Sequence, residues 1–386
     1  MALLFSLSDE QKLFQESLER QLAQSYPFSI RQQAAESETG YSKELWRTAA
    51  DMGWLAAPFP EDLGGLGGSM IEAGLVMSAF GRSLVNNPYA ASVLMAGGAV
   101  MAGGTREQQE ALIPGIASGE RIVTFAHAEA DARYDWRHVE TTARPAGNGY
   151  VLNGRKSVVP FADRASEIIV AARLSGGVAD AEGLSLFVVP ASVKGLSLVA
   201  YRTHDGGRAG DVVLNAVRVD GSALIGAPGE GFALIEAALD RAAAGFCMEI
   251  SGATWGVHDA TLAYLKTRTQ FGQPLSTFQA LQHRIVDVYI RCQLAQSMAW
   301  DAVAACAAAD PRERSRRISA AMVHVGEAGR FVAKEGVQLH GGIGMTYDLP
   351  IGHYLKRLAA IDTAIGDQDM YLDRCLGLAE PSTRGI

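Results

Sequence analysis

Hydrophobic and polar positions change their spacing twice along the chain. Residues 7–118 repeat apolar positions at steps of three and four, which predicts helices, and Ser8 is placed to cap a first helix from Asp9 through Leu22. The stretch PFPEDLGGLGGS over residues 58–69 interrupts this spacing with two prolines and four glycines. Helical spacing resumes directly after it, so the first block is predicted to be helical on both sides of a loop.

The middle block has the pattern of a β domain. From Arg121 to about Gly226, short β-branched runs such as EIIVAAR and DVVLNAVRV alternate with turn residues. Asn153 and Gly154 lie between two extended stretches, and both residue types tolerate the positive φ angles of a two-residue turn. This dipeptide therefore predicts a β-hairpin.

The last third returns to long helical patterns, which gives an α, β, α order along the chain. One set of apolar residues at steps of three and four predicts a buried face of a single helix, with Ser276 and Gln279 as a capping box at its start. The members of this face are Phe278, Leu281, Ile285, Val288, Cys292, Ala295, Ala299 and Val303. The small alanines suit close helix packing, as in an antiparallel bundle. The predicted domains are an all-α domain over 1–118, a β domain over 119–230 and a helical bundle over 231–386.

Composition and charge narrow the classes of function. A chain of 386 residues with net charge −8 and no dense Lys/Arg stripe is a poor match for nucleic acid. The most apolar run, Tyr89 to Gly104, falls below the roughly 18 residues that span a bilayer, and the start MALLFSLSDEQKLF lacks a basic leader and cleavage site. We therefore expect a cytoplasmic protein without a membrane span. Four cysteines without CxxC spacing, and histidines without ligand spacing, favour packed thiols and no metal site.

Several motifs occur together in the order of a known family. They are YLKTRTQFGQPL, the following FQALQH, the segment QLHGGIGM, and a strand domain between two helical ones. In this combination the sequence resembles the acyl-CoA dehydrogenase family along essentially its whole length. The resemblance implies an α+β fold with an N-terminal helical domain, a middle β-barrel or β-sandwich domain and a C-terminal four-helix bundle. It also implies an FAD-dependent oxidoreductase that acts on the CH–CH bond of an acyl-CoA, with electron-transfer flavoprotein as the acceptor.

The resemblance places the ADP half of FAD at two segments, RTQFG (268–272) and QLHGGIGM (338–345). Arg268 can offer a planar donor fork to a pyrophosphate, Gly272 allows close backbone approach, and Phe271 can pack against the cofactor. In the family, the matching Arg and Phe reach the FAD of a neighbouring subunit. The other residues that match the cofactor segments are Gln279, Gln338, Gly341, Gly342 and Gly344. The alternative is a surface ion pair for Arg268 and a glycine-capped helix end for QLHGGIG.

The catalytic base departs from the family pattern. The usual Glu of a Glu-Gly-Thr step corresponds here to Ile365, which cannot accept a proton. A second branch of the family carries its base just before an Arg, and the matching residue is Asp240, one methylene shorter than Glu. The other interpretation of Asp240 is a helix-surface residue paired with a basic side chain. Asp367, Glu249 and Glu236 are weaker candidates, and Glu249 is also expected as an interhelical hydrogen-bond partner.

The positions that contact the flavin ring in the family also lack the family's side-chain hydroxyls. Ala128-Glu129 replaces a Thr-Glu step, and Val158-Val159-Pro160 after Lys156 replaces Trp-x-Thr. Side-chain hydroxyls are missing at both places, and Pro160 also lacks a backbone N–H.

This asymmetry predicts a division of labour between two related subunits, in a dimer or tetramer. A homologous subunit would supply the Glu and the ring pocket, while this chain holds the partner's ADP end. FAHAEADARYD and HYLKRLAAIDTAIGDQD resemble the small subunit of the pimeloyl-CoA type of dehydrogenase, and steroid side-chain dehydrogenases of two different subunits are a related pattern. A heterotetramer in fatty acid or steroid degradation is thus expected. Three alternatives stay open: a homomeric dehydrogenase using Asp240, a flavin monooxygenase or nitroalkane-oxidase-like enzyme, and a non-catalytic assembly partner.

Overall fold

The computed structural model describes residues 6–378. Residues 1–5, part of the N-terminal stretch predicted to lack a leader, lie outside the described residues. Two compact units can be distinguished. The first contains the residues up to 28, residues 74–85 and the residues from 243 onward, and the second contains residues 29–73 and 86–242. The predicted domain limits 1–118, 119–230 and 231–386 remain predictions.

Helices occupy both flanking blocks, as the apolar spacing predicts. They are α1 (Asp9–Ser25), α2 (Phe28–Glu36), α3 (Lys43–Asp51), α4 (Met70–Arg82), α5 (Gly98–Gly103), α6 (Arg106–Ala117), α7 (Phe232–Thr267), α8 (Gln279–Ala305), α9 (Pro311–His340), α10 (Pro350–Ile361) and α11 (Gln368–Leu378). A π-helical segment over Ala90–Gly97 precedes α5. Among residues 6–378, no helix is both long and apolar enough to cross a bilayer.

The predicted cap of the first helix is confirmed. The hydroxyl of Ser8 accepts a hydrogen bond from the Gln11 N–H (3.2 Å), and the Gln11 side chain accepts one from the Ser8 N–H (3.0 Å). This reciprocal pair satisfies two N–H groups that the first turn leaves without helical partners. The helix extends three residues beyond the predicted end, Leu22, to Ser25.

The middle block forms one mixed sheet in the second unit. Its strands are β1 (Val123–Ala126), β2 (Thr142–Ala146), β3 (Gly149–Pro160), β4 (Glu167–Arg173), β5 (Leu184–Pro190), β6 (Leu196–Arg202), β7 (Arg208–Asp220) and β8 (Leu224–Ile225). Their order is β6-β7-β3-β2-β4-β5-β8, with β1 parallel to β4. Apolar side chains from β2 to β7, among them Leu152, Val170 and Phe187, are fully buried and form the core on this sheet.

The hairpin predicted at Asn153-Gly154 is wrong, because β3 continues through both residues. The register with β7 shifts between Leu152 and Gly154, so the dipeptide forms a β-bulge. The Asn153 side chain accepts the Ala216 N–H (2.8 Å), and Gly154, at φ +152°, leaves no room for a Cβ beside Thr141. The two-residue turn lies instead at residues 147 and 148, between β2 and β3.

Helix α8 buries the second half of the predicted apolar face. Val288, Cys292, Ala295, Ala299 and Val303 are buried, whereas the positions before Val288 are only partly covered. The predicted capping box of Ser276 and Gln279 is wrong. Residues 275–277 form a short 3-10 turn, and α8 begins at Gln279 without a side-chain cap, two residues too late for Ser276 to cap it.

Candidate functional site

The RTQFG segment forms a small β-hairpin in the first unit. Strands β9 (Thr269–Gln270) and β10 (Gln273–Pro274) pair antiparallel, and the Leu275 N–H donates to the Arg268 carbonyl (2.8 Å). The two turn residues, Phe271 and Gly272, have φ angles of +53° and +79°. Positive φ at both central positions is the geometry of a type I′ turn, which suits a two-residue hairpin.

Phe271 occupies this turn against its intrinsic preference. A bulky residue at positive φ is strained, and Asn, Asp or Gly would be the ordinary choice. The ring is nevertheless 90% exposed and packs edge-on against Phe278, with centroids 6.1 Å apart. Strain combined with exposure is typical of residues retained for a contact outside their own unit.

Arg268, at the base of the hairpin, forms no side-chain hydrogen bond or ion pair with any residue in the described range 6–378. The expected alternative, a surface ion pair, is therefore not formed within the described chain. The guanidinium is exposed and keeps all five N–H donors available. Such a group can bind a phosphate or carboxylate through two parallel hydrogen bonds.

The QLHGGIGM segment ends helix α9 and continues as a short 3-10 turn over Gly341–Met345. Gly341 has φ +68° and its N–H returns to the Gln338 carbonyl, so the glycine-capped helix end is present. A Cβ at Gly341 or Gly342 would meet nothing within 4 Å, which leaves an open backbone surface next to the exposed Gln338. Gly344 differs, because a Cβ there would lie 2.9 Å from the Val337 carbonyl, so its missing side chain allows close packing.

An aromatic contact brings the two segments together. The ring of Tyr264, one turn before Arg268, stacks on His340 with centroids 4.4 Å apart and planes at 22°. Burial lowers the pKa of His340, whose Nδ1 lies 2.8 Å from the Gly336 carbonyl. The ends of α7 and α9 are thus fixed side by side. Sequence reasoning missed Tyr264, although its position four residues before Arg268 places it on the same helix face.

The electrostatics of this surface depend on Arg268 and the start of α8. Helices α7 and α9 both end here, and helix C-termini carry partial negative charge that disfavours an anion. Helix α8 begins nearby in sequence at Gln279, and its first N–H groups lack a side-chain cap. Free N–H groups at a helix start attract anions. The missing capping box therefore leaves polar groups available to a ligand.

These groups fit the ADP end of FAD. A guanidinium without a partner among residues 6–378 and N–H groups without a side-chain cap suit a pyrophosphate, while Gly341 and Gly342 allow a flat ring to approach the backbone. Phe271 supplies an exposed aromatic face. The same residues carry no carboxylate that would repel phosphate.

Ile365 lies buried in the turn between α10 and α11. A hydrocarbon side chain at this position has no basic atom, so the turn cannot supply the usual base. Asp367, two residues later, caps α11 instead, because its carboxylate accepts the Met370 N–H (2.9 Å). Neither residue of this turn is therefore free to act as the family's Glu.

Asp240 is fully buried in α7, within the second unit. The interpretation as a helix-surface residue is wrong, since a buried carboxylate needs partners that a surface position does not require. The next residue, Arg241, is accommodated by Gly98: a Cβ at Gly98 would stand 2.9 Å from the Arg241 Nε. A buried carboxylate in this position keeps Asp240 as a candidate base.

Glu249 serves as an interhelical partner, as expected. Its carboxylate accepts two hydrogen bonds from the Arg357 guanidinium, at 2.6 and 2.9 Å, and both oxygens are thereby engaged. The pair links α7 to α10 inside the first unit and leaves Glu249 buried. This bidentate geometry fits a structural role better than proton transfer. Glu236, the other weak candidate, lies in the first turns of α7.

Glu129 is held by a buried ion pair rather than left open for a ring. The Lys156 Nζ lies 2.7 Å from Glu129 Oε1, and the backbone N–H groups of Glu140 and Thr141 donate to the same carboxylate at 2.7 and 3.0 Å. Burial by itself would raise the pKa of Glu129, but Lys156 and these hydrogen bonds outweigh it and lower the pKa. Sequence reasoning did not foresee the pair, whose members are 27 residues apart.

The segment after Lys156 bulges out of the sheet. The β3–β7 register shifts between Lys156 and Val159, and Val158 has φ +54° with an exposed side chain. Its N–H donates to Asp211 (3.1 Å), which also accepts from the Tyr201 hydroxyl (2.9 Å). A β-branched residue at positive φ is an outlier, so Asp211 holds a strained bulge in place.

Two backbone carbonyls at the positions that the family resemblance places near the flavin ring accept hydrogen bonds from within the chain. The Pro160 carbonyl accepts the Thr124 hydroxyl (2.6 Å), and the Ala128 carbonyl accepts the Ser157 N–H (2.9 Å). With no hydroxyl at Ala128, Val158 or Pro160, these positions offer few hydrogen bonds to a flavin ring. The missing hydroxyls contrast with the residues around Arg268, where the family's ADP-binding motif is matched.

One cavity lies away from the predicted site residues. A cavity of about 510 Å³ opens between α6 and the sheet in the second unit, lined among others by Gln108, Tyr150 and Arg218. None of the predicted cofactor or base residues lines it. Across residues 6–378, no group of three or more His, Cys, Asp or Glu side chains is arranged to hold a metal ion.

Comparison with known proteins gives matches along most of the chain. Residues 8–120 match the family model for the acyl-CoA dehydrogenase N-terminal domain, residues 124–217 the middle domain, and residues 229–375 the C-terminal domain. Acyl-CoA dehydrogenase FadE27 of Mycobacterium tuberculosis is 31% identical over 339 residues, which cover 85% of this chain and 86% of that protein. The predicted family resemblance is thereby confirmed.

Solved structures agree with the fold. The steroid ACAD Tcur3481-Tcur3483 is 30% identical with a TM-score of 0.87 and covers 97% of this chain and 98% of its own. A chain of the ChsE4-ChsE5 complex from Mycobacterium tuberculosis is 25% identical with a TM-score of 0.86, covering 97% and 99%. The predicted order of helical, β and helical domains is confirmed.

Proposed function

Since the chain belongs to the acyl-CoA dehydrogenase family, whose members are FAD-dependent oxidoreductases acting on acyl-CoA, we propose that it is one subunit of a heteromeric enzyme of this family. The single observation that carries the proposal is a contrast. The ADP-binding groups around Arg268 are exposed and intact, whereas Ile365 occupies the base position.

In this proposal Arg268, Phe271, Gly341 and Gly342 form a clamp for a cofactor that belongs mainly to another subunit. Phe271 projects into solvent from a rigid two-residue turn, and Arg268 has no partner in the described part of this chain. Arg268 would bind the pyrophosphate, Phe271 would cover the adenosine side, and Gly341 and Gly342 would let the adenine approach the backbone. Bound FAD supplies the hydride acceptor for the β carbon of the acyl thioester.

In this proposal the partner subunit supplies the base that removes the α proton of the substrate. Removal of the α proton needs a base within hydrogen-bond reach, but Ile365 stands at the position of the family's Glu, and Asp367 of the same turn caps α11. A homologous subunit with the family's Glu would supply that base and the ring pocket. Electron-transfer flavoprotein is the proposed electron acceptor. The two-protein names of the Tcur3481-Tcur3483 and ChsE4-ChsE5 structures support a two-subunit steroid or fatty acyl-CoA dehydrogenase.

The test is the flavin content of the purified chain. We expect FAD well below one per chain in the protein expressed alone, and a yellow complex after co-expression with a homologous subunit that has the Glu. In that complex, Arg268→Ala should release FAD, whereas Arg20→Ala, an exposed arginine of α1, should not. A full complement of FAD in the chain alone would overturn the two-subunit proposal.

One observation favours a second candidate, a homomeric dehydrogenase that uses Asp240. Asp240 is completely buried in α7, and an active site that excludes water strengthens the electrostatic interactions of its catalytic groups. This candidate predicts that acyl-CoA bleaches the flavin of the chain alone and that Asp240→Asn abolishes bleaching while FAD stays bound. Absence of bleaching in the unaltered, FAD-loaded chain would eliminate it. Bleaching that requires oxygen and yields an oxygenated product would point to the monooxygenase alternative.

A further inference from the structure

A tight turn over residues 132–135, in the second unit, has an arginine where a glycine is expected. The Asp135 N–H donates to the Ala132 carbonyl (2.9 Å), so Arg133 is the first of the two central residues of a β-turn. Its backbone has φ +49° and ψ −109°, and the second central residue, Tyr134, has no positive φ. Positive φ at the first central position alone is the pattern of a type II′ turn, in which that position is normally a glycine.

Arg133 is strained in this conformation. Its Cβ disfavours positive φ, and a glycine would form the same turn without that cost. Among residues 6–378, Arg133 is the only charged residue with positive φ. Backbone strain of this kind persists where the surrounding structure imposes it, and it clusters at active sites and ligand-binding sites.

The chain on both sides of the turn imposes the strain. The Glu129 carboxylate accepts the N–H groups of Glu140 and Thr141 at 2.7 and 3.0 Å, which closes the loop that contains the turn. The Arg173 guanidinium donates to the Arg137 carbonyl (2.9 Å) from the adjacent strand β4. Because the loop is fixed at its base and along its second half, the turn holds its side chain in a defined position.

The Arg133 side chain does not offset this strain within the described chain. Its guanidinium forms no hydrogen bond or ion pair with any residue from 6 to 378, and the residue is exposed. Two acidic residues are two positions away in sequence, yet Asp135 is bound by Arg137 (2.9 Å) and Asp131 forms no ion pair with Arg133. The backbone N–H of Arg133 also lacks an acceptor among the described residues. The guanidinium donors and this N–H are therefore available to a ligand.

The available donors indicate the chemistry of the ligand. A guanidinium has N–H donors only and keeps its positive charge, so it selects an anion with several acceptor oxygens, and phosphate matches its planar fork. FAD and acyl-CoA, the cofactor and the substrate of the family, both carry phosphate groups. We propose that Arg133 binds a phosphate group of a nucleotide ligand, FAD or the CoA moiety, and that the strained turn is retained for this contact.

This proposal goes beyond the two-subunit function and does not depend on it. Arg268 belongs to the first unit and Arg133 to the second. The contact at Arg133 requires neither a partner subunit nor a particular catalytic base. A chain that acts as a homomer would therefore leave the proposal intact.

Arg133→Gly separates folding from binding. Glycine forms the type II′ turn without strain, so the midpoint of urea unfolding should rise even though glycine adds entropy to the unfolded chain. Arg144→Gly is the matched control, since Arg144 is also exposed and without a partner among residues 6–378 but lies within strand β2. Its midpoint should fall, because glycine weakens a strand. An equal fall in Arg133→Gly would show that the arginine is retained for folding and would overturn the proposal.

Isothermal titration calorimetry measures the binding of CoA and FAD to the full-length chain and to its complex with a homologous subunit. Pantetheine and riboflavin serve as the corresponding compounds without phosphate. Arg133→Gly should weaken the binding of at least one nucleotide at least about tenfold, as the loss of a charge-assisted hydrogen bond implies, whereas Arg144→Gly should not. Weaker binding of CoA alone would assign the phosphate to the substrate, and weaker binding of FAD alone would assign it to the cofactor.

Three results of the titration would each overturn the proposal. One is the absence of CoA and FAD binding in the unaltered chain and in the complex. Another is a folded Arg133→Gly variant that binds both nucleotides with unchanged affinity. The third is an equal loss of pantetheine or riboflavin binding, since neither compound has a phosphate for Arg133 to contact.

Discussion

The change Glu129→Gln tests whether Glu129 is a structural residue of the sheet rather than a flavin contact. Glutamine keeps the size of the side chain and one acceptor oxygen, but it removes the charge that balances Lys156. The Lys156 side chain is completely buried, and its other acceptor is the His127 carbonyl at 3.2 Å. The variant therefore leaves an ammonium in the protein interior with neutral partners only.

The expected cost follows from this burial. Removing one member of a buried ion pair destabilises a protein by about 3–5 kcal/mol, since the remaining charge is not compensated. Lys156→Met should cost less, because the Glu129 carboxylate keeps the N–H groups of Glu140 and Thr141. The double variant should be more stable than the sum of the two changes implies, with a coupling of about 1–3 kcal/mol.

The pair also sets a direction for pH dependence. Because the pKa of Glu129 is lowered on folding, its contribution is complete above the ordinary carboxyl value of 4.5 and is lost as the pH falls through the lower folded-state pKa. The free energy of unfolding should thus fall more steeply below pH 4.5 in the unaltered protein than in Glu129→Gln. A steeper fall in the variant would contradict the assigned direction.

Hydrogen exchange gives the local measurement. The N–H groups of Glu140 and Thr141 donate to the carboxylate, so peptides covering residues 127–142 should lose protection in Glu129→Gln. Urea unfolding followed by circular dichroism supplies the free energy. A change below about 0.5 kcal/mol, the range of ordinary surface substitutions, together with unchanged exchange, would refute the structural role.

Three further predictions concern the framework around the site. Gly154→Ala should lower the free energy of unfolding by about 1–3 kcal/mol in urea, because its Cβ would lie 2.5 Å from the Thr141 hydroxyl. The control is Gly147→Ala, which should cost only its backbone strain because a Cβ there meets nothing within 4 Å. Arg173→Met should lower the unfolding free energy by at least about 2–4 kcal/mol and expose residues 175–182 to proteolysis, because the guanidinium donates to six backbone carbonyls, including those of residues 178, 180 and 182. Arg357→Gln should cost about 3–5 kcal/mol by leaving Glu249 buried and alone, and the loss should shrink when Glu249→Gln is added; an equal loss in the double variant would contradict the pairing.

Local patterns predicted those parts of the fold that short-range forces determine. The cap at Ser8 needs only residues three apart, and the buried face of α8 needs only helical periodicity, so both could be predicted. The hairpin at Asn153-Gly154 failed for a different reason. The dipeptide tolerates positive φ, but the Ala216 N–H from β7 occupies the Asn153 side chain, and sequence spacing contains no information on that pairing. The sequence PAGNGYV, with Gly147-Asn148 between two extended stretches, would have predicted the hairpin turn that the structure contains.

The candidate site shows the same limit. Motif order predicted Arg268 and Phe271 as members of one surface, but not the stacking of Tyr264 on His340, since these rings come from helices far apart in sequence. The burial of Asp240 was missed because a charged residue followed by an arginine is typical of a helix surface. Long-range packing decides such positions, and single residues do not reveal it.

Each of the two units contains an exposed residue with a strained backbone. Phe271 and Val158 are large apolar residues in left-handed conformation, each is exposed, and the resemblance to the family predicts a cofactor contact at each position. Such conformations cost of order 1–3 kcal/mol and persist only where surrounding structure imposes them. The hairpin imposes the first and Asp211 the second.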